Sequence, residues 1–321
     1  MAQDLRIGWV GFHAEGQAAL AALLEAGIPV EAVLTLTERE LAKRSGRSSY
    51  EELCARYGVP LHKIRHVNDP ESIELLRSLS LDVVFVIGWS QIVGPEALRT
   101  PRLGMVGAHA AVLPRNRGSA PVNWAILRGE TEGGNTLMWL NPEVDEGEII
   151  DQASFPITPY DTCATVYDKV AQSNREMILR LVSRLKEGQR PGRPQPPSHD
   201  PILPRRRPEH GQIDWKKPNR EVYNFIRALT RPYPGAFSWL DGRRYFLWDA
   251  ALLPGEPYGS AMPGQVVGAV LSPHPGGACG QVVACGHGAV IVLEVESAEG
   301  LVLKGPKLSE QAWEGKVWSN E

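Results

Sequence analysis

Asp82-Val-Val-Phe-Val-Ile-Gly88 is an apolar run closed by a glycine. Its unbroken β-branched and aromatic character fits a strand covered on both faces, as parallel strands at the centre of an α/β sheet are. Upstream, an apolar segment at 6–12 precedes Gln17-Ala-Ala-Leu-Ala-Ala-Leu-Leu-Glu-Ala26, which is rich in strong helix formers, and then a β-rich run at 29–37. Helices predicted near 50–57 and 70–79 continue this β-α-β alternation to residue 82. The pattern specifies a doubly wound sheet, whose ligand crevice lies beyond the carboxyl ends of its strands.

Downstream, apolar runs at 135–140 and 148–155 flank the polar turn Asn141-Pro-Glu-Val-Asp-Glu-Gly147, and a long helix is predicted over 161–187. Composition then changes: residues 191–208 hold seven prolines, which exclude a helix or a central strand and mark a semi-rigid linker. Beyond it, a helix near 220–229 precedes short β-like runs at 236–240, 244–250, 264–270, 281–284 and 289–295. Short strands with Gly/Pro punctuation predict a small barrel or sandwich. The expected domains are 1–190 for catalysis, 191–208 as linker and 209–321 as the β domain.

At 321 residues and 43% apolar content the chain is long enough for two such cores. A net charge of −3 excludes a generally basic nucleic-acid binder. No apolar stretch reaches membrane-spanning length, and the opening Met1-Ala-Gln-Asp-Leu-Arg6 lacks a signal-peptide layout, so a cytoplasmic protein is expected. Cys54, Cys163, Cys279 and Cys285 form no C-x-x-C pair and read as incidental thiols. Gly8-Trp-Val-Gly11 lacks the G-x-G-x-x-G fingerprint and reads as a plain βα turn, while His62 and His66 have no third ligand spaced with them, so no metal is expected.

The informative stretch is Gly104-Met-Val-Gly107-Ala-His109-Ala-Ala-Val-Leu-Pro-Arg-Asn-Arg117-Gly118-Ser-Ala-Pro121-Val-Asn-Trp124. A strand ending in histidine places His109 at the crevice, and imidazole exchanges protons near neutral pH. Asp145, in the polar turn, is placed to orient or charge-compensate it. The run His109-x-x-x-Leu-Pro-x-x-Arg-Gly-x-x-Pro-x-x-Trp-Ala-Ile-x-x-Gly-Glu, followed by Asp145-x-Gly-x-Ile, closely resembles the formyltetrahydrofolate-dependent formyltransferase family. In the second domain, Arg231-Pro-Tyr-Pro-Gly-Ala-Phe237 and Ala284-Cys-Gly-His-Gly-Ala289 look like the formyltransferase half of the bifunctional enzyme that formylates UDP-4-amino-4-deoxy-L-arabinose, a resemblance that implies a small OB-like β-barrel there.

The resemblance implies that an Asn-x-His…Asp constellation moves a formyl group from 10-formyltetrahydrofolate to a substrate amine. His109 and Asp145 fill two of its places. Gly107 stands where the family carries the Asn, and Ala111 where it usually carries a Ser. Losing one preorganised oxyanion donor costs about 2.7–4 kcal/mol. A glycine is expected to leave space there for water or a substrate group, with His109 as the main donor; the alternatives are a formyl hydrolase or a binder without catalysis. By the same resemblance the co-substrate sits among Val86, Ile87, Gly88, Trp89, Ile92, Asn141, Glu143, Val144 and Asp145, and Arg117, Gly118 and Pro121 serve the acceptor. The acceptor read from the second-domain motifs is a nucleotide-linked amino sugar, with no membrane partner and a homodimer as an open assembly. The alternative is methionyl-tRNA formylation, supported by nine basic against four acidic residues in 186–220 and by Arg39, Lys43, Arg44 and Arg47.

Overall fold

A computed structural model describes residues 4–253, 261–272, 274 and 277–320. The chain forms two compact units. The first holds the residues up to Pro121, with Glu132–Pro156 and Thr165–Pro204; the second holds Val122–Thr131, Ile157–Ala164 and the residues from Arg205 on.

In the first unit β1 (Ile7–Val10), α1 (Ala14–Glu25) and β2 (Ala32–Leu36) form the expected opening. They are followed by α2 (Glu38–Leu41), α3 (Glu51–Tyr57), β3 (Leu61–Ile64), α4 (Pro70–Ser78), β4 (Val83–Val86), α5 (Pro95–Leu98) and β5 (Gly104–His109). Past α6 (Pro121–Leu127), which from Val122 on belongs to the second unit, come β6 (Glu132–Trp139), β7 (Ile149–Pro156) and α7 (Cys163–Lys186). The strand order is β3-β2-β1-β4-β5-β6-β7. The first five strands run parallel, and β6 and β7 are antiparallel, turning about residues 141–147.

The decisive run is β4, buried on both faces between β1 and β5. Alternation sends Phe85 and Ile87, with Trp9 and Val106, into one core with α1 and α7. Val84 and Val86, with Val10 and Met105, enter the opposite core with α4 and α5. The sheet is thus doubly wound, as expected. The proline-rich stretch runs along this unit as far as Pro204, pairing through the residues between its prolines: Arg193 with Ile149 and Leu203 with Gly118.

In the second unit α8 (Asn219–Leu229) accompanies β8 (Ala236–Leu240), β9 (Arg243–Leu253), β10 (Val266–Leu271), β11 (Cys279–Ala284), β12 (Ala289–Ser297), β13 (Val302–Lys304) and α9 (Pro306–Ser309). The antiparallel order is β10-β11-β12-β9-β8, with β13 on β12. Its two edges are joined by the C-terminal segment. Val266 N–H donates to Lys316 O at 2.8 Å and Trp318 N–H to Gly264 O at 2.9 Å, while Trp239 and Ser319 exchange bonds at 3.1 and 2.9 Å. The sheet is therefore barrel-like, and Trp318 is buried against Trp215, Tyr245 and Trp313. All four cysteines are free and buried; burial pushes Cys54 to about 11 and Cys163 and Cys285 to about 12, so these thiols stay protonated. Among the described residues no helix is long and apolar enough to cross a membrane.

Candidate active site

His109 is the last residue of β5 and is buried. Its Nε2 lies 2.7 Å from the carbonyl oxygen of Asn116, and its Nδ1 lies 3.5 Å from Asp145 Oδ2. A carbonyl only accepts, so Nε2 is the donor in that pair, and the ring is fixed edge-on to the carboxylate. Asp145 sits in the left-handed region at φ 55°, and its Oδ2 accepts the Gly118 amide at 2.8 Å. Gln195, from the proline-rich stretch, donates to Asp145 O at 2.8 Å and Gly147 O at 2.9 Å, clamping the turn that carries the carboxylate.

The loop after His109 is held by side chains of the hairpin. Thr136, opposite His109 in the β5–β6 register, donates to Ala111 O at 2.7 Å and accepts from Leu113 N at 3.1 Å. Gln152 donates to Leu113 O at 2.8 Å and is itself held by Arg193 at 2.6 Å. Gly118 has φ +109°, and a Cβ there would meet Leu203 O at 2.5 Å and Leu203 N at 2.6 Å. Two effects therefore oppose Gly118→Ala, backbone strain and a main-chain clash. We expect a loss of about 1–3 kcal/mol in denaturant unfolding, with activity falling as Asp145 loses its amide partner.

Gly107 does not leave a vacancy, which corrects the sequence expectation. A Cβ there would lie 2.5 Å from Leu140 Cδ2 and 3.1 Å from its Cγ, so Leu140 already fills the space. The physical reason is tertiary: Leu140 follows the last residue of β6, packs against the apolar core of this face, and takes the volume that a side chain at 107 would need.

The co-substrate residues expected from sequence fall on two loops. Val86 and Ile87 are buried in opposite cores and have only main chain to offer a ligand. Gly88 turns at φ +63° and accepts the amides of Phe12 and His13. Trp89 packs edge-on to Phe12 with a buried, unpartnered Nε1, whereas Ile92 is 67% exposed. On the second loop Asn141, Glu143 and Val144 are exposed, and Asn141 Oδ1 accepts the Glu143 amide at 3.2 Å. Beside this turn opens a cleft of about 620 Å3 walled by Arg117, Trp139, Leu140, Asn141, Arg190 and Gln195, a size suited to a small molecule. Gln195 Oε1 and Arg117 Nε are buried and unpartnered. Arg117 bonds Glu146 and, at 3.3 Å, Ser198 O, so it would have to surrender Glu146 to grip a phosphate. Pro121 opens α6 and is buried.

His62 lies in β3 and His66 in the following loop, and no group of three or more metal-ligating side chains is found among the described residues. Sequence reading passed over His13 and Glu15, the residues just after β1. Their side chains lie 3.8 Å apart and both are largely buried. Burial holds the Glu15 carboxyl above the ordinary carboxylate range, and His13 and His109 pull it part of the way back. The available signal was position, since both follow a parallel strand at its carboxyl end.

Residues 10–182 match the formyl transferase family, and residues 206–311 match the formyl transferase C-terminal domain. A methionyl-tRNA formyltransferase of Symbiobacterium thermophilum is 36% identical over 295 residues, which is 91% of this chain and 88% of the relative. HypX from Aquifex aeolicus, crystallised with tetrahydrofolic acid, shares the fold at TM-score 0.65 and 18% identity over 94% of this chain, which spans only 46% of that longer protein. An N-formyltransferase from Helicobacter canadensis, crystallised with folinic acid and dTDP-3-aminofucose, shares it at TM-score 0.65 and 19% identity over 90% of this chain and 98% of its own. With both family regions matched over more than half of its length, the chain belongs to the formyl transferase family.

Proposed function

We propose that the protein transfers a formyl group from 10-formyltetrahydrofolate to the primary amine of a nucleotide-linked amino sugar. The observation that carries this reading is the His109–Asp145 couple at the carboxyl end of β5 in a formyl transferase fold. For a folate in this crevice, the buried, unpartnered Trp89 Nε1 and Gln195 Oε1 would be a donor and an acceptor, and the exposed Ile92 and Val144 would give apolar cover. When bound, that donor supplies the formyl carbon. His109, oriented by Asp145, is the group that gives or receives the proton. Gly118 and Gln195 keep Asp145 in place for this task.

A sugar acceptor is favoured by the charge balance. Among the basic residues of 186–220, Arg190, Arg207 and Lys217 sit within salt-bridge distance of Glu148, Glu209 and Glu221, and Arg206 lies over Trp124 and Phe225. Lys43 is likewise paired with Glu40. The second reading, methionyl-tRNA formylation, is favoured by the 36% identical relative. Incubation with formyl-labelled 10-formyltetrahydrofolate and either UDP- and dTDP-linked amino sugars or methionyl-tRNA separates them. The expected result is label on the sugar nitrogen; label on the tRNA alone, lost steeply as salt rises, would establish the second reading.

A further inference from the structure

The order β1-β4-β5 brings three strand ends side by side. Glu15 stands in the first turn of α1 beyond β1, Gly88 follows β4, and His109 closes β5. Adjacent strands are about 4.8 Å apart, so β1 and β5 are separated by roughly 10 Å, which two side chains can span. Gly88, on the strand between them, lets the turn carrying Glu15 come close: a Cβ at that position would lie 2.7 Å from His13 Cβ and 3.4 Å from Glu15 Cγ.

The loop carrying Glu15 is rigid. Gly88 O accepts both Phe12 and His13 amides, Tyr50 Oη donates to His13 O at 3.0 Å, and a Cβ at Gly11 or Gly16 would press on Ile87 O. Glu15 Oε2 is buried without a hydrogen-bond partner, while Oε1 faces His13 Nδ1 at 3.8 Å. An unpaired buried carboxylate oxygen costs stability, and such groups collect where chemistry uses them.

Resting on the reading of the protein as an N-formyltransferase, we propose that Glu15 is the base that takes the proton from the acceptor amine, leaving His109 to serve the leaving nitrogen. The balance is simple. As the acceptor nitrogen bonds to the formyl carbon, it sheds one proton to Glu15; as the bond from that carbon to the donor nitrogen breaks, His109 gives one proton to that nitrogen. One proton enters at Glu15 and one leaves at His109, and exchange with solvent resets both. With Gly107 replacing a side-chain donor, two separated proton-handling groups do what one crowded constellation would otherwise share. The charged and titratable groups around Glu15 are His13 on its own loop, His109 on β5 and Tyr50 before α3; Tyr167 of α7 packs on His13 at 5.3 Å, and Asp145 faces His109.

Glu15→Gln tests this with three readings. First, kcat for formyl transfer falls by about 100-fold or more, within the range for general acid–base groups, and the acid limb of the wild-type pH profile disappears; Glu15→Asp restores part of both. Second, folate affinity measured by calorimetry is unchanged, because Glu15 serves the acceptor amine and not the co-substrate. Third, the variant is more stable than wild type at neutral pH and loses that advantage in acid. A carboxyl whose folded pKa is raised binds more protons when folded, so its contribution to stability declines as pH rises from its unfolded value toward its folded one. Unchanged kcat and pH profile in Glu15→Gln, in a protein that His109→Ala inactivates, would overturn the role of Glu15 while leaving the function intact. If neither wild type nor variant transfers formyl groups to any acceptor, the function is overturned and the role of Glu15 falls with it.

Discussion

His109→Ala is expected to lower formyl transfer by about 100- to 10,000-fold while leaving the fold and the affinity for folate nearly unchanged. The ring is oriented from two sides, by Asn116 O and by Asp145, and neither contact is shared with the sheet ladder, so truncation removes chemistry rather than structure. The cavity left by an imidazole at a strand end facing the crevice should cost far less than one in the buried cores around Phe85 or Met105. Steady-state kinetics with calorimetric folate binding separates the two quantities. Asp145→Asn should fall between wild type and His109→Ala, because the amide still reaches Gly118 N–H through its oxygen but no longer offers charge to the ring.

Gly107→Asn is expected to harm the protein when made alone and to help it when Leu140 is shortened. The single change drives a side chain into Leu140 Cδ2 and Cγ, at a cost of about 1–3 kcal/mol from overpacking, with no gain in rate. In Gly107→Asn/Leu140→Ala the amide has room, and a donor aimed at the formyl oxygen should raise the rate by about 100- to 1,000-fold. The two substitutions are thus strongly coupled, as contacting residues are. Chemical unfolding and transfer rates of both singles and the double measure this. A full gain in rate from Gly107→Asn alone, at undiminished stability, would show that Leu140 does not hold the space.

Much of the fold was legible because it rests on local pattern. The apolar run at 82–88 is β4 and its continuation, and the small-residue helix after β1 is α1, because burial on two faces and helix propensity leave marks within a few residues. The runs at 236–240 and 289–295 became β8 and β12 for the same reason. The joining of the β domain by residues 316–319 was not legible, since single bridges from Lys316, Trp318 and Ser319 leave no strand-like period. The proline-rich stretch likewise shows few donors in sequence, yet Arg193, Gln195 and Leu203 supply the bonds that its prolines cannot.

The site divides along the same line. His109 and Asp145 were legible through motif spacing, and they do meet. Leu140 beside Gly107 was not, because which side chain fills a gap depends on packing between distant strands. Glu15 was not legible either: a carboxylate in the first turn of a helix is ordinarily explained by the helix dipole, and only its burial beside His13 and within the field of His109 sets it apart.

The most direct test of the central claim is the fate of the formyl carbon when purified protein, 10-formyltetrahydrofolate and an amino-sugar nucleotide are incubated together. The geometry of His109 and Asp145 predicts one formamide formed for each tetrahydrofolate released, with almost no formate, and loss of both products in His109→Ala. Free formate in place of formamide, or binding of both ligands with no product at all, would contradict it.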